Sequence, residues 1–451
     1  MIFTVFSCVD PCSGLECTSS TLKSQISLFL GSSIIAQESL PDTPTILNTP
    51  DQTTIGVPGL GTNWSLYIDS ELFLGVPDLG VVMNIPYDQD VFQSEDILYQ
   101  GKKTESFGAA VTRLTHQNST YTLVSAPKYE DEYWNQGAVF IYAENILDPL
   151  KIVGEAQEQL GDHIFPCGDI DGDNKADALI TSSFFGGSLT DEEAKALSGR
   201  VYVAKSEQWL SINNTIAASE FTFFSGDSIG GRLGQDAFCQ SDIDGDNILD
   251  IIISAPFADS ETFDASGAIY VLPKDSTTLE DASFRLQGLT NNAWLGWSMA
   301  IGDIDGDKKQ DIVAGAPGMN AQRGSVYIWK GIDLINNQTF PAIEIQSENS
   351  RIGTEVQLVD INGDGFDDIL IGEPGRTWSE DSTLQNTETG MAHIIWGSAD
   401  LSAWNGTQTL QLADTHLTVD INQAFLGHSI LSTDIDEDGL KDVFLIHNAA
   451  N

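Results

Sequence analysis

Five stretches of this chain place oxygen donors, most of them carboxylates, at every second residue: DIDGDNKAD from 169, DIDGDNILD from 242, DIDGDKKQD from 303, DINGDGFDD from 360 and DIDEDGLKD from 434. In the first, Asp169, Asp171 and Asp173 offer carboxylates, Lys175 a backbone carbonyl and Asp177 a further carboxylate. The same five positions are Asp242, Asp244, Asp246, Ile248 and Asp250 in the second and Asp303, Asp305, Asp307, Lys309 and Asp311 in the third. They are Asp360, Asn362, Asp364, Phe366 and Asp368 in the fourth, and Asp434, Asp436, Asp438, Leu440 and Asp442 in the fifth. Like charges about 4 Å apart repel by roughly 4 kcal/mol per pair at an effective dielectric near 20, and a dication reverses that sign. All-oxygen donors in a tight loop are the chemistry of calcium, so up to five calcium ions are expected. Glycine at the fourth position (Gly172, Gly245, Gly306, Gly363) permits the bend; Glu437 at that position and Lys308 at the sixth fit the pattern less well.

An EF-hand is the main rival, and it needs a carboxylate at position 12 between flanking helices. Position 12 here is Ile180, Ile253, Ala314, Ile371 or Leu445, inside the runs ALITS, IIISAP, IVAGAP, ILIGEP and VFLIH. Those runs are β-branched and apolar, so each acidic loop opens a strand. The spacings of 73, 61, 57 and 74 residues, obtained from the starting positions 169, 242, 303, 360 and 434, suit units of about four strands. Each unit has a glycine upstream (QLGDHI, RLGQDA, WLGWSM, RIGTEV, FLGHSI), and the first four have a glycine-led strand downstream (GRVYVAK, GAIYVLP, GSVYIWKG, GMAHIIWG). Two further units, over 106–142 and 71–85, keep the frame without the loop. One short helix is expected at TDEEAKALSG from 190.

Phe107-Gly108 with Ala126-Pro127, Leu233-Gly234 with Ala255-Pro256, and Leu295-Gly296 with Gly315-Ala316-Pro317 resemble FG-GAP repeats, those of the integrin α-subunit N-terminal domain and many bacterial surface proteins. The resemblance implies an all-β, seven-bladed β-propeller over 21–451, with metal loops on one rim and a protein or glycan ligand on the opposite face. It departs from the pattern at Ser182-Ser183, Glu373-Pro374 and His447-Asn448. The last unit ends without its glycine-led strand, and residues 24–32, SQISLFLGS, read like the missing one, so an N-terminal strand is expected to complete it.

With 66 Asp and Glu against 20 Lys and Arg, the net charge of -46 argues against a nucleic-acid partner, since phosphates need basic neutralisation. With 41% hydrophobic residues the chain should fold, and no apolar run is long enough for a transmembrane helix. Residues 1–20 read as a signal-like or linker segment. Val5-Phe6-Ser7-Cys8 resembles the lipobox of bacterial lipoproteins, with Cys8 as the lipid-anchor position, although no basic region precedes it. The expected location is extracellular or at the cell surface, including an outer-membrane lipoprotein. Of five cysteines, one is left over if Cys12–Cys17 and Cys167–Cys239 are bridged; buried free thiols at 167 and 239 are the alternative.

Catalytic constellations are weak. SGDSIGG from 225 is similar to serine hydrolase blocks but falls on a repeat turn, and His116, His163, His393, His416, His428 and His447 lack the spacing of a zinc site. DASGA from 264 does not complete an adhesion metal motif. A non-enzymatic binding or adhesion protein is therefore expected, with Trp134, Trp294, Trp297, Trp378 and Trp404 as contact candidates. A polysaccharide lyase or hydrolase and a structural surface-layer component are the alternatives.

Overall fold

The computed structural model describes residues 2–8, 22–23, 34–37, 45–47, 65–68, 72–85, 97–116, 119–143, 148–186, 197–210, 214–319, 323–347, 351–375, 390–401, 404, 406–410, 413, 415–419, 425–434 and 439–447. The described strands make seven sheets of four to six strands, antiparallel except for two parallel edge pairings. Two compact units hold them: one comprises residues 58–289, the other residues 1–57 with 290–451.

In the unit 58–289, the strands Ile164–Gly168, Asp177–Ser182, Arg200–Ala204 and Thr222–Ser225 form one sheet, and Ala237–Ser241, Asp250–Ala255, Ala268–Pro273 and Phe284–Gln287 the next. All six residues of Asp177–Ser182 are buried. Leu179, Val201 and Val203 pack towards Ile251, Ile253 and Tyr270, whereas Ala178, Ile180 and Tyr202 pack towards Leu123, Val139 and Ile141 of the preceding sheet. A strand buried on both faces needs apolar residues at every position. That is why ALITS and its counterparts read as unbroken apolar runs. Cys167 and Cys239 form a disulfide between the first strands of these neighbouring sheets, resolving the choice between bridge and thiols. It closes a sequence separation of 72 residues, so Cys167→Ser should cost about 4 kcal/mol of stability, read as a lower urea midpoint.

In the other unit, Met299–Gly302, Asp311–Ala316, Ser325–Trp329 and Ile343–Gln346 form one sheet, and Val356–Val359, Asp368–Glu373, Met391–Ile395 and Thr415–Val419 the next. They share the core of Val313, Ile328, Ile345, Ile369 and Ile371. The last sheet, Ser429–Thr433 with Asp442–His447, is extended by Ile2–Cys8, Ile2 pairing with His447 and Phe6 with Val443. An N-terminal strand thus does pair with the last one, but it is Ile2–Cys8. The expected segment 24–32 lies outside the described residues, as do the proposed helix at 190 and the Cys12–Cys17 pair. Cys8 itself pairs with Leu22. A chain cleaved before Cys8 would lack residues 2–7 and with them the pairing of Ile2 to Phe6 with Val443–His447.

Two sheets gain a parallel fifth strand that the four-strand reading did not include: Thr215–Ala217 beside Leu150–Val153, and Gly406–Thr409 beside Ile343–Gln346. Each covers an edge that would otherwise offer unpaired backbone groups. Among the described residues no helix is long and apolar enough to cross a membrane.

Candidate metal centre

Every fully described acidic loop joins the first and second strands of its sheet and repeats one hydrogen-bond scheme. In the first, Asp169 accepts from the backbone N–H of Gly172 through Oδ1 at 2.7 Å and of Asn174 through Oδ2 at 2.7 Å. Asp171 accepts from Asp173 at 3.2 Å, and Asp173 from Lys175 at 2.8 Å. These local turns aim alternate carboxylates inward, which an extended strand of the same sequence would send to opposite faces. The scheme recurs at Asp242, Asp244 and Asp246, at Asp303, Asp305 and Asp307, and at Asp360, Asn362 and Asp364. The sixth position is left-handed in all five loops, with φ 62° at Asn174, 67° at Asn247, 65° at Lys308, 90° at Gly365 and 91° at Gly439. Lys308 therefore adopts the geometry that its type disfavours.

The ninth position does something different. Asp177, Asp250, Asp311 and Asp368 are all buried. Each accepts through Oδ2 from the N–H of the second loop residue: Ile170 at 3.1 Å, Ile243 at 2.8 Å, Ile304 at 2.9 Å and Ile361 at 2.9 Å. In three loops Oδ1 also accepts from the chain leaving the third strand: Ser206 and Gly331 at 2.8 Å and Gly397 at 2.9 Å. One carboxylate thus fastens loop, second strand and third-strand exit together. Burial raises Asp177 and pushes Asp250, Asp311 and Asp368 up to about 7, helped by neighbouring carboxylates and opposed by these backbone donors.

Carboxylate oxygens of Asp169, Asp171 and Asp177, of Asp242, Asp244 and Asp246, and of Asp303, Asp305 and Asp311 lie within 4.8 Å of one another in each trio. The donors are hard oxygens throughout, and the carboxylates outnumber nearby ammonium groups. This donor set fits calcium; when bound, a cation would neutralise the loop and cross-link its carboxylates. Asp173, Asp250 and Asp307 lie in the same loops but outside these trios, and none of the three trios comes from the fourth loop. In the fifth loop only Asp434, Leu440 and Asp442 of the expected ligands are described, with Gly439 donating to Asp434 at 2.9 Å; Asp436 and Asp438 lie outside the described residues.

Four contributors escaped the sequence reading. Lys205 and Lys330 approach Asp171 and Asp305 at 3.6 and 3.4 Å, and Ser283 donates to Asp244 at 2.9 Å. Asp367 accepts from the N–H of Asp303 at 2.8 Å, tying the third and fourth loops together. A lysine at the end of the third strand, as in YVAK and YIWK, was the available signal for the first two.

Two histidines that the sequence reading assigned to no site also meet. His393 and His416 approach Nδ1 to Nδ1 at 2.7 Å, and His393 Nε2 lies 3.1 Å from Glu373. The three are buried and occupy a sheet interior. His393 stands where sister strands carry Tyr202 and Tyr270, which bond Glu158 and Asp227, so the group replaces a tyrosine–carboxylate core contact. Of the tryptophans, Trp134 is 63% exposed, Trp294 and Trp297 lie with ring centroids 6.0 Å apart, and Trp404 packs on a core. Trp378 lies outside the described residues.

The FG-GAP repeat family model matches residues 236–272, 295–329 and 352–395. Phosphatidylinositol-glycan-specific phospholipase D of Rattus norvegicus is 30% identical over 167 residues, 34% of this chain and 18% of that protein. Integrin alpha-E of Mus musculus is 34% identical over 167 residues, 33% of this chain and 14% of the relative. Integrin alpha-4 of Xenopus laevis is 28% identical over 158 residues, 33% and 15% respectively. The chain therefore spans less than a fifth of the length of these relatives.

Proposed function

This chain carries FG-GAP repeats, and from that premise we propose that it works as a calcium-stabilised extracellular or surface-tethered binding module for a protein or glycan ligand. On this reading residues 21–451, together with the strand Ile2–Cys8, form one seven-bladed β-propeller. The observation that carries it is the shared hydrogen-bond scheme of the acidic loops, with the carboxylate trios it gathers. Calcium would be held by the carboxylates at positions 1, 3, 5 and 9 and by the position-7 carbonyl, in up to five loops.

Two further observations support it. The Cys167–Cys239 disulfide belongs to an oxidising compartment. The relatives include integrin alpha subunits, whose likeness favours adhesion, while the phospholipase D match covers only a fraction of an enzyme. In each sheet that carries one, the metal loop and the connection between second and third strands stand at opposite ends of a buried strand, about 20 Å apart for six residues. Ligand contact is assigned to that far end, away from the cations.

Probing arrays of extracellular proteins and glycans with the purified chain tests the proposal. Saturable capture in calcium that chelation abolishes is the expected result. Cleavage of a polysaccharide panel without saturable capture would favour an enzyme, and calcium-driven self-association without foreign ligand a surface-layer role.

A further inference from the structure

Two residues before each repeat glycine the backbone enters the left-handed region on a residue other than glycine: φ is 57° at Gln159, 55° at Arg232, 60° at Trp294, 66° at Arg351 and 52° at Phe425. Such geometry costs about 1–3 kcal/mol and persists where the surroundings over-determine it. At Arg232 those surroundings are specific. Its N–H donates to Leu197 at 3.1 Å, Leu233 pairs with Gly199, and Gly231 accepts from Phe257 at 3.2 Å, drawing three loops of the unit 58–289 together. The guanidinium carbon lies 4.5 Å from the ring centre of Phe184 and 4.9 Å from that of Phe257.

Two other arginines of the unit 58–289 face carboxylates: Arg200 lies 3.7 Å from both Glu155 and Glu158, and Arg285 lies 3.6 Å from Asp227. Arg232 has no acidic partner within 4.0 Å among the described residues, in a chain with 66 Asp and Glu. It is half-buried between two rings, and beside it Leu197 is 45% and Ile229 70% exposed. A stacked guanidinium keeps its forked N–H edge available for a carboxylate, and exposed apolar residues around an arginine have the composition of an interface centre.

Building on the binding-module reading above, we propose that Arg232 anchors a docking site for a protein segment carrying one Asp or Glu beside an apolar residue, the carboxylate meeting the guanidinium and the apolar side chain covering Leu197 and Ile229. A single carboxylate is specified because the net charge of -46 repels a polyanion at long range.

Panning a library of random linear peptides against the intact protein in calcium tests this. Enriched peptides should carry one Asp or Glu next to Leu, Ile, Val or Phe. Arg232→Gly should weaken them about tenfold or more while leaving the melting temperature unchanged or higher, because glycine accepts the left-handed backbone. Arg232→Lys should recover part of the binding, keeping charge without the planar stack. Enrichment without an acidic residue, unchanged binding by Arg232→Gly, or no enrichment at all would overturn the proposal. So would thermal coupling to the chain's own acids: if Arg232→Gly and a triple Asp191→Asn, Glu192→Gln, Glu193→Gln variant each lower the melting temperature by amounts that do not add, the arginine serves an internal pair. Failure of the binding-module reading is separate, since it would appear as a protein indifferent to calcium and to the ligand arrays.

Discussion

Replacing Asp311 by Ala should destabilise the protein by about 3–5 kcal/mol in the absence of calcium and by more in its presence. The carboxylate is buried and holds the N–H groups of Ile304 and Gly331 at 2.9 and 2.8 Å. Truncation leaves two buried donors without an acceptor, at about 1–3 kcal/mol each. Gly331 opens the short helix Gly331–Ile335, so its release also frees the chain leaving the third strand. The additional loss in calcium follows from removing a proposed ligand. Asp307→Ala should behave differently, because Asp307 accepts only a local bond from Lys309: little loss without calcium, a clear one with it. Urea unfolding of both variants, with and without calcium, separates the two roles.

The pH dependence of the metal-free protein should be opposite to that of most proteins. Asp250, Asp311 and Asp368 are raised from the ordinary 3.8 to about 7 by burial. The folded state therefore binds protons that the unfolded state releases between about 7 and 3.8. Stability must fall as pH rises through that window and recover as it drops, by at most about 1.4 kcal/mol per group per pH unit. A bound cation holds the same carboxylates ionised, so calcium-loaded protein should lose stability on acidification. Melting curves from about pH 8 to about pH 3.5 in metal-free and in calcium buffers check the two slopes. A metal-free gain that begins only near pH 4 would point to surface carboxylates instead.

Much of this organisation was written in side-chain types. The acidic loops were legible because their liganding pattern needs fixed spacing, and the second strands because burial on both faces demands continuous apolar residues. Fourth strands such as Thr222–Ser225 and Phe284–Gln287 were not, since they are short, half-exposed and follow irregular connections. Of the fifth strands, Thr215–Ala217 is only three residues long and Gly406–Thr409 has no large apolar side chain, so neither shows a strand pattern of its own. Ile2–Cys8 lies in the segment 1–20 that reads as signal-like or linker, and an apolar start looks the same as a leader or as a strand. The ninth aspartate was anticipated as one ligand among five; only the fold reveals that it also buckles two chain segments. Arg232 gave no signal, because a left-handed backbone on arginine follows from its neighbours and not from its own preference.

Thermal melting of the intact chain in millimolar calcium and in chelator tests the central claim most directly. Calcium should raise the midpoint on the order of 10 °C, since each site filled at a hundredfold excess over its Kd adds about 2.7 kcal/mol. Superimposable curves would contradict the account, because acidic loops that stay equally stable without a cation are not calcium sites.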